Sequence, residues 1–420
     1  MWVGIAEADI TPPVGIPMGG FLFREQPSVG IHDRLYAKIL VFSESNEKAV
    51  IVSCDLLGLD QNFVKKIRSL ITKQTGICSQ NIMIHCTHTH SGPATIFLRN
   101  CGEINKNYLD TLYKSINKAV NIAFQNLRNV KIGYGEGTCK IGKHRTVGEE
   151  KTDPRIFVLK VEDINGELEA LLVNYACHPV VMAESNRLIS ADLPGAAAGF
   201  IKNKLGDKGI VIYTNGACGN INPVVSGGTF QDLKHLGSLL GEEVLNILNE
   251  VETKQSTVLK TATKEILLPL QLFERGEVEK QKAEYSHRLR QAIDTDNYKK
   301  IKLYQTMLNW AEDTIKLIQL GQVSEHVPLE LQLITIGEVN LIGIPGEPFS
   351  HIGLNIRKQI PNPTVILGYT NGCIGYIPVE ETYKIGAYEV EAYKFYGNFM
   401  LRSDSAQILE HEVIGLIKDK

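Results

Sequence analysis

The run from Ala49 to Leu57 is apolar enough to bury a strand on both faces, Asp60 to Thr75 carries apolar residues at helical spacing, and Ile82 to Cys86 is apolar again. That order predicts a strand, a helix and a second strand, the last running into a polar, histidine-rich turn. Asn107 to Gln125 has helical periodicity, while Lys131 to Gly135, Arg155 to Glu162 and Glu167 to Ala176 read as strands, the last two joined by the turn Asn165-Gly166. A helix after Pro194, a strand from Gly209 to Tyr213 and a long helix from about Phe230 to Val251 repeat the α/β alternation. Residues 276 to 320 break it: they are charged, almost free of glycine and periodic, with Asp294-Thr295-Asp296 as the break between two antiparallel helices. Strands at 328 to 337 and 339 to 344, a helix at 350 to 360, a strand at 364 to 369 and a closing helix at 403 to 418 complete the chain. The expected fold class is α/β, with mixed multi-stranded sheets flanked by helices. A single large catalytic domain would span residues 1 to 420, with a helical hairpin insertion at 276 to 320.

Composition narrows the function classes. Of 420 residues, 43% are hydrophobic and 22% charged, which excludes disordered, collagen-like and small disulfide-scaffold chains. Lysine and arginine number 44 against 47 acids, so there is no basic footprint for a phosphate backbone and nucleic acid is not an expected partner. No window approaches eighteen uninterrupted apolar residues, and Met1-Trp2-Val3-Gly4-Ile5 lacks the basic start of an export signal. Eight cysteines form no Cys-x-x-Cys pair. Reduced thiols and a cytoplasmic location are the expectation.

One internal echo stands out: the strand at 210 to 213 runs into Thr214-Asn215-Gly216, and the strand at 365 to 369 runs into Thr370-Asn371-Gly372. Thr-Asn-Gly can simply end a strand in a turn. Alternatively, two related strands deliver their carboxyl-terminal loops to one crevice, where open α/β sheets bind ligands.

The strongest chemical signal is His85-Cys86-Thr87-His88-Thr89-His90-Ser91-Gly92-Pro93 at the end of an apolar strand. If strand geometry persists, His88 and His90 share a face and His85 points away. A His-x-His pair of neutral imidazoles suits a divalent ion such as Zn²⁺. His178 ends another apolar strand in Ala176-Cys177-His178-Pro179, Glu347 lies in Pro345-Gly346-Glu347-Pro348, and Tyr376 follows Gly372-Cys373-Ile374-Gly375. Each of these alone is as readily a packing or solvated residue.

Together they resemble the neutral ceramidase family. The motifs that carry the resemblance are Ala8-Asp9-Ile10-Thr11, Gly30-Ile31-His32-Asp33-Arg34-Leu35, Thr87 to Pro93 and Gly346-Glu347, in the family's order and spread over residues 4 to about 400. The resemblance implies one zinc ion per chain, held by His88, His178, Glu347 and Tyr376, with His90 and Arg145 contacting substrate. His32 and Asp33 are expected to support the site from behind rather than act directly.

The chain departs from the family in three ways. At the family's Gly-Asp-x-Ser-Pro segment, whose serine is often assigned a nucleophilic role, this sequence reads Gly219-Asn220-Ile221-Asn222-Pro223. Asn222 cannot be a covalent nucleophile, although it can donate a hydrogen bond to substrate or to an oxyanion. The family's C-terminal immunoglobulin-like domain is not expected, since the sequence ends soon after the last helix, and most relatives are secreted. The resulting expectation is a zinc-dependent amidohydrolase that cleaves an N-acyl amide, ceramide-like or another small or lipid-like substrate, by zinc-bound hydroxide. His90 would shuttle the proton to the leaving amine and Arg145 would orient the substrate. The alternatives are an inactive zinc-containing ligand-binding relative and another zinc esterase or amidohydrolase, including a barrel enzyme with Asp192 as a further ligand. Tyr383, Tyr388, Tyr393, Phe395, Tyr396 and Phe399 either wall a substrate pocket or simply pack.

Overall fold

The computed structural model describes residues 1–145 and 152–419. Among them, one eight-stranded sheet runs in the order Ile210–Asn215, Leu168–Tyr175, Arg155–Asp163, Arg128–Thr138, Trp2–Asp9, Tyr36–Glu44, Glu47–Cys54, Ile82–Cys86. A five-stranded sheet follows the order Thr364–Leu367, Val339–Gly343, His326–Ile336, Leu259–Gln271, Met400–Leu401. Their inner faces pack together through residues such as Leu40, Phe42 and Ile51 from the first and Ile334, Leu341 and Val365 from the second. Alternation along each strand supplies the outer faces. Ile39 and Val41 meet the helices Gln61–Thr75 and Lys106–Gln125, and Val173 and Val211 meet Asp192–Lys204 and Phe230–Glu250. On the far side, Ile342 and Ile366 lie under Ser350–Gln359 and Ser405–Lys418. Helices thus cover the outer faces of both sheets, in agreement with the expected class, and the large sheet bends so that its edge strand Ile210–Asn215 comes against Glu47–Cys54 and Ile82–Cys86 of the other half.

The helices and the parallel strand pairs lie where the hydrophobic pattern puts them, to within a few residues at each end. The charged segment is the helical hairpin Arg275–Asp294 and Tyr298–Gln319. It joins Leu259–Gln271 to His326–Ile336, strands that are direct antiparallel neighbours, so it is an excursion from one connection rather than a layer of the sandwich. Three long strands go beyond the expectation: Trp2–Asp9, Tyr36–Glu44 and Leu259–Gln271. In the first, Gly4 lies under the helix Lys106–Gln125, where a Cβ would sit 1.9 Å from the Ala123 carbonyl oxygen. The glycine that weakens the strand signal is what lets the helix approach.

Parallel pairing occurs at both edges of the large sheet and at one edge of the small one. Each parallel pair is bridged by a helix, giving three β-α-β units: Glu47–Cys54 to Ile82–Cys86 across Gln61–Thr75, Leu168–Tyr175 to Ile210–Asn215 across Asp192–Lys204, and Val339–Gly343 to Thr364–Leu367 across Ser350–Gln359. In such units the loops beyond the carboxyl ends of the strands form the usual ligand crevice. Here the three sets of loops meet one another. The Cys86 N–H donates to the Tyr369 carbonyl, the Gly368 N–H to that of Asn215, and the Gly219 N–H to that of Pro348.

Candidate metal centre

The histidine motif leaves its strand at Cys86. Thr87 and His88 then donate their N–H groups to the carbonyls of Cys54 and Leu56, and His88 takes a left-handed backbone with φ of 68°. Strand alternation therefore stops before His88, contrary to the simple periodicity argument, yet the turn still brings His88 and His90 together. His85 does point elsewhere: it is buried, its Nδ1 lies 3.0 Å from the Ser53 hydroxyl, and its Nε2 accepts the Asn215 N–H at 3.0 Å. It fastens the core. The echoed Thr-Asn-Gly loops flank this same strand end. Asn215 donates its side-chain amide to the Thr87 carbonyl, and Asn371 accepts the Ile84 N–H. The crevice interpretation of the echo thus describes the structure.

Three imidazoles converge from two of the units. Nε2 of His88 and Nε2 of His90 are 3.2 Å apart, and one nitrogen each from His88, His90 and His178 lie within 4.8 Å of one another. Glu347 closes the group from the third unit, its Oε2 lying 3.4 Å from Nε2 of both His88 and His178. All four side chains are buried, His90 keeping a partly open edge. On the outer side Nδ1 of His88 donates to the Leu57 carbonyl at 2.6 Å, Nδ1 of His90 to that of Gly20 at 3.0 Å, and Nδ1 of His178 to that of Cys218 at 3.2 Å. A carbonyl can only accept, so each Nδ1 carries a proton and each neutral ring turns an Nε2 lone pair inward. Facing lone pairs repel, and Nε2 of His178 is buried without any hydrogen-bond partner. Nitrogen lone pairs and a carboxylate oxygen around one point, with the outer nitrogens tied to carbonyls, fit a divalent metal ion such as zinc. Burial pushes the imidazoles of His90 and His178 well below the usual value, with neighbouring imidazoles and the Arg24 and Arg145 guanidinium groups adding to the shift, which keeps these rings neutral.

Tyr376 sits beside this group by strand pairing, since Glu347–Pro348 and Tyr376–Ile377 form a short parallel ladder in which Glu347 and Tyr376 are partners. Its ring stacks near His178, with centroids 6.3 Å apart, and the Arg145 guanidinium lies 5.2 Å from the ring centroid. Burial pushes the Tyr376 phenol up, against the pull of Arg145. Arg145 itself is tied down: Nε donates to Oε1 of the buried Glu389 at 3.0 Å and Nη2 donates to the Gly219 carbonyl. Burial opposes its charge, but Tyr376, Glu389 and Glu347 outweigh that and raise its pKa. It is not an ordinary surface arginine.

Asn222 lies on the short strand Ile221–Pro223, next to Ile221, whose carbonyl accepts the His178 N–H. Among the described residues its buried Oδ1 has no hydrogen-bond partner. Asp33 supports from behind: it accepts from the Ser190 hydroxyl at 2.7 Å and the Ala191 N–H at 2.9 Å, and the Ser190 N–H in turn donates to Ser91 of the histidine motif. His32 stacks on Phe230, with centroids 3.8 Å apart, and its Nδ1 lies 3.3 Å from Oδ1 of Asp33. Asp192 is no metal ligand. Its carboxylate accepts the N–H groups of Val181, Met182 and Leu193, which fixes the loop following His178.

A cavity of about 450 Å³ opens beside the cluster. Tyr376, Glu389 and Tyr396 line it together with apolar groups including Leu317, Val327 and Phe399. Of the aromatic stretch, Tyr383, Tyr393, Tyr396 and Phe399 wall this space, whereas Phe395 packs against Leu57 and Ile96. Several contributors gave little warning in the sequence. Glu389 is one acid among several in a tyrosine-rich stretch, and Gly20, with φ of 95°, matters because a Cβ there would lie 2.6 Å from Nδ1 of His90. Tyr369, whose hydroxyl is 3.4 Å from Oε2 of Glu347, belongs to the echoed loop that did carry a signal.

Residues 1–235 match the model of the family described as neutral/alkaline non-lysosomal ceramidase, N-terminal. The neutral ceramidase of Pseudomonas aeruginosa is 25% identical over an alignment covering 92% of this chain and 68% of that protein. That of Drosophila melanogaster is 25% identical, covering 54% of this chain and 36% of the relative, and neutral ceramidase B of Dictyostelium discoideum is 27% identical over 55% and 36%. Two solved structures share the fold, each with a TM-score of 0.76 at 19% identity and covering 99% of this chain. One is the Pseudomonas aeruginosa neutral ceramidase, of which 73% is covered, and the other is a ceramidase complexed with C2, of which 74% is covered. With its shared fold, its histidine motif and more than half its length matched, the chain belongs to the neutral/alkaline non-lysosomal ceramidase family.

Proposed function

We propose that this chain is a zinc-dependent amide hydrolase acting on an N-acyl amide with a lipid-like chain, ceramide being the representative substrate. The observation that carries the reading is the convergence of three inward Nε2 lone pairs and the Glu347 carboxylate, with two neighbours of Glu347, Tyr376 and Tyr396, lining a largely apolar cavity. His88, His178 and Glu347 would hold the ion, with Tyr376, the ladder partner of Glu347, as the fourth ligand. A bound zinc ion supplies a Lewis acid that acidifies water and polarises a carbonyl. The protein does the rest. His90, with Nδ1 held by Gly20, presents an unprotonated Nε2 toward the reacting centre and can take a proton from water and return it to the leaving amine. Arg145, held by Glu389 and Gly219, offers its remaining N–H groups to the developing oxyanion. Asn222 lacks a nucleophilic hydroxyl, so the amide is cleaved by water without an acyl-enzyme, and its amide is a hydrogen-bonding group for substrate.

Metal analysis of the purified chain, followed by a panel of N-acyl amides and esters differing in acyl length and head group, tests this. One zinc per chain and turnover of long-chain N-acyl amides are expected. Full zinc occupancy without turnover anywhere on the panel would favour a ligand-binding relative, the outcome to which Asn222 in the serine position most directly points.

A further inference from the structure

The Glu347 carboxylate is gripped from the side away from the histidines. Tyr396 donates its hydroxyl to Oε1, while Oε2 faces Nε2 of His88 and His178 and lies 3.4 Å from the Tyr369 hydroxyl. A carboxylate on a flexible stem can offer a metal one oxygen or both, and can swing between them. The bond from Tyr396 occupies Oε1 and leaves Oε2 to point inward.

The Tyr396 ring is itself immobilised. It lies flat against Gly375, where a Cβ would come within 2.8 Å of Cγ of the tyrosine. The backbone around it is clamped by Arg99, which donates to the carbonyls of Lys394 and Gly397, to the Asn398 side chain and, through its own N–H, to the Phe395 carbonyl. A fixed hydroxyl on a fixed ring has only one carboxylate oxygen to serve. We infer that Tyr396 is the positioning residue of the metal carboxylate, holding Glu347 as a one-oxygen ligand through Oε1. The inference rests on reading His88, His178 and Glu347 as a metal site. It places a wall of the apolar cavity in direct contact with a ligand of the ion.

The test is metal affinity, independent of turnover. The purified chain is stripped with a chelator and titrated with zinc against a chromophoric competitor, and cobalt(II) is loaded in parallel so that its visible absorption reports ligand geometry. Tyr396→Phe removes one oxygen and keeps the ring on Gly375. It should weaken zinc binding by about 10- to 100-fold, the range found when groups behind a metal ligand are removed. It should also change the cobalt spectrum while leaving the metal-free melting temperature near wild type. Tyr369→Phe, at longer range from the other oxygen, should cost less. Gly375→Ala, which pushes on the same ring from outside, provides a second variant should Tyr396→Phe fail to fold, and should weaken binding too. Wild-type zinc affinity and an unchanged cobalt spectrum in Tyr396→Phe would overturn the inference alone. A wild-type chain that binds no divalent metal would overturn the metal-site reading, and this inference with it.

Discussion

Nε2 of His88 faces Nε2 of His90 at 3.2 Å, and each ring spends its only N–H on a backbone carbonyl. Two lone pairs held so close need a cation or a proton between or beside them. The roles of the two rings still separate by partner: His88 also meets Glu347, whereas His90 keeps a partly open edge and lies tilted against Phe21, with ring centroids 5.0 Å apart. His88→Ala should therefore lose both metal and activity. His90→Ala should keep the metal and lower kcat by about 10²- to 10⁴-fold, the usual contribution of general acid–base catalysis. Metal content by atomic emission, measured beside kcat, checks both, and loss of the ion from His90→Ala would make His90 a ligand.

Arg145 and Glu389 form a second pair whose value lies in orientation. Glu389→Gln keeps an acceptor for Nε and should lower kcat more than it raises KM. Glu389→Ala strands a largely buried guanidinium and should destabilise the fold by about 3–5 kcal/mol, the range for breaking a buried ion pair from one side. Denaturant unfolding of the two variants separates these effects. Equal stability in both would mean that the pair is not sustained in solution.

Asn222→Ser supplies the hydroxyl expected at this position from the family's Gly-Asp-x-Ser-Pro segment. With hydrolysis by water, the variant should change kcat by less than about tenfold and accumulate no acyl-serine under single-turnover conditions, as read by intact-protein mass spectrometry. A large gain in rate with a trapped acyl group would instead make the natural chain a weakened serine-dependent enzyme.

Asp192 should leave a pH signature. Burial raises its carboxyl from 3.8 to about 6 despite three backbone donors. The folded state then holds this proton at pH values where the unfolded chain has released it. Its contribution to stability is complete below about pH 4 and is lost as pH rises through 6. The stability of wild type relative to Asp192→Asn should therefore fall between about pH 4 and pH 6.5 and be flat on either side. Chemical denaturation across that range, with a flat difference throughout, would contradict the assignment.

How much of this was legible beforehand follows from the kind of signal involved. Helices such as Gln61–Thr75 and the charged hairpin announce themselves by period, and fully buried parallel strands by unbroken apolar runs. Trp2–Asp9 hides its pattern behind Gly4, and Leu259–Gln271 carries the exposed Leu267 and a proline near its end. The site divides in the same way. His88 stands just past a strand end in a motif that closes on Ser-Gly-Pro, and His178 and Glu347 stand just past strand ends beside proline or glycine, a pattern that a chain can display without its fold. Tyr369, Tyr396 and Glu389 act through contacts between segments distant in sequence, and no local spacing encodes which carboxylate oxygen a tyrosine will reach.

The meeting of three crossover units at one point also sets an order of events during synthesis and refolding. His88 and His178 belong to opposite edges of the large sheet, and Glu347 arrives only with the small one. Contacts this distant along the chain form late, because loop closure over long stretches precedes any gain from them. An ion held by His88, His178 and Glu347 would find no complete site in a half-folded chain, so its strong capture would mark the final docking of the two sheets. Binding only that last state, it would by mass action act as a check on completed folding as well as take part in the proposed reaction.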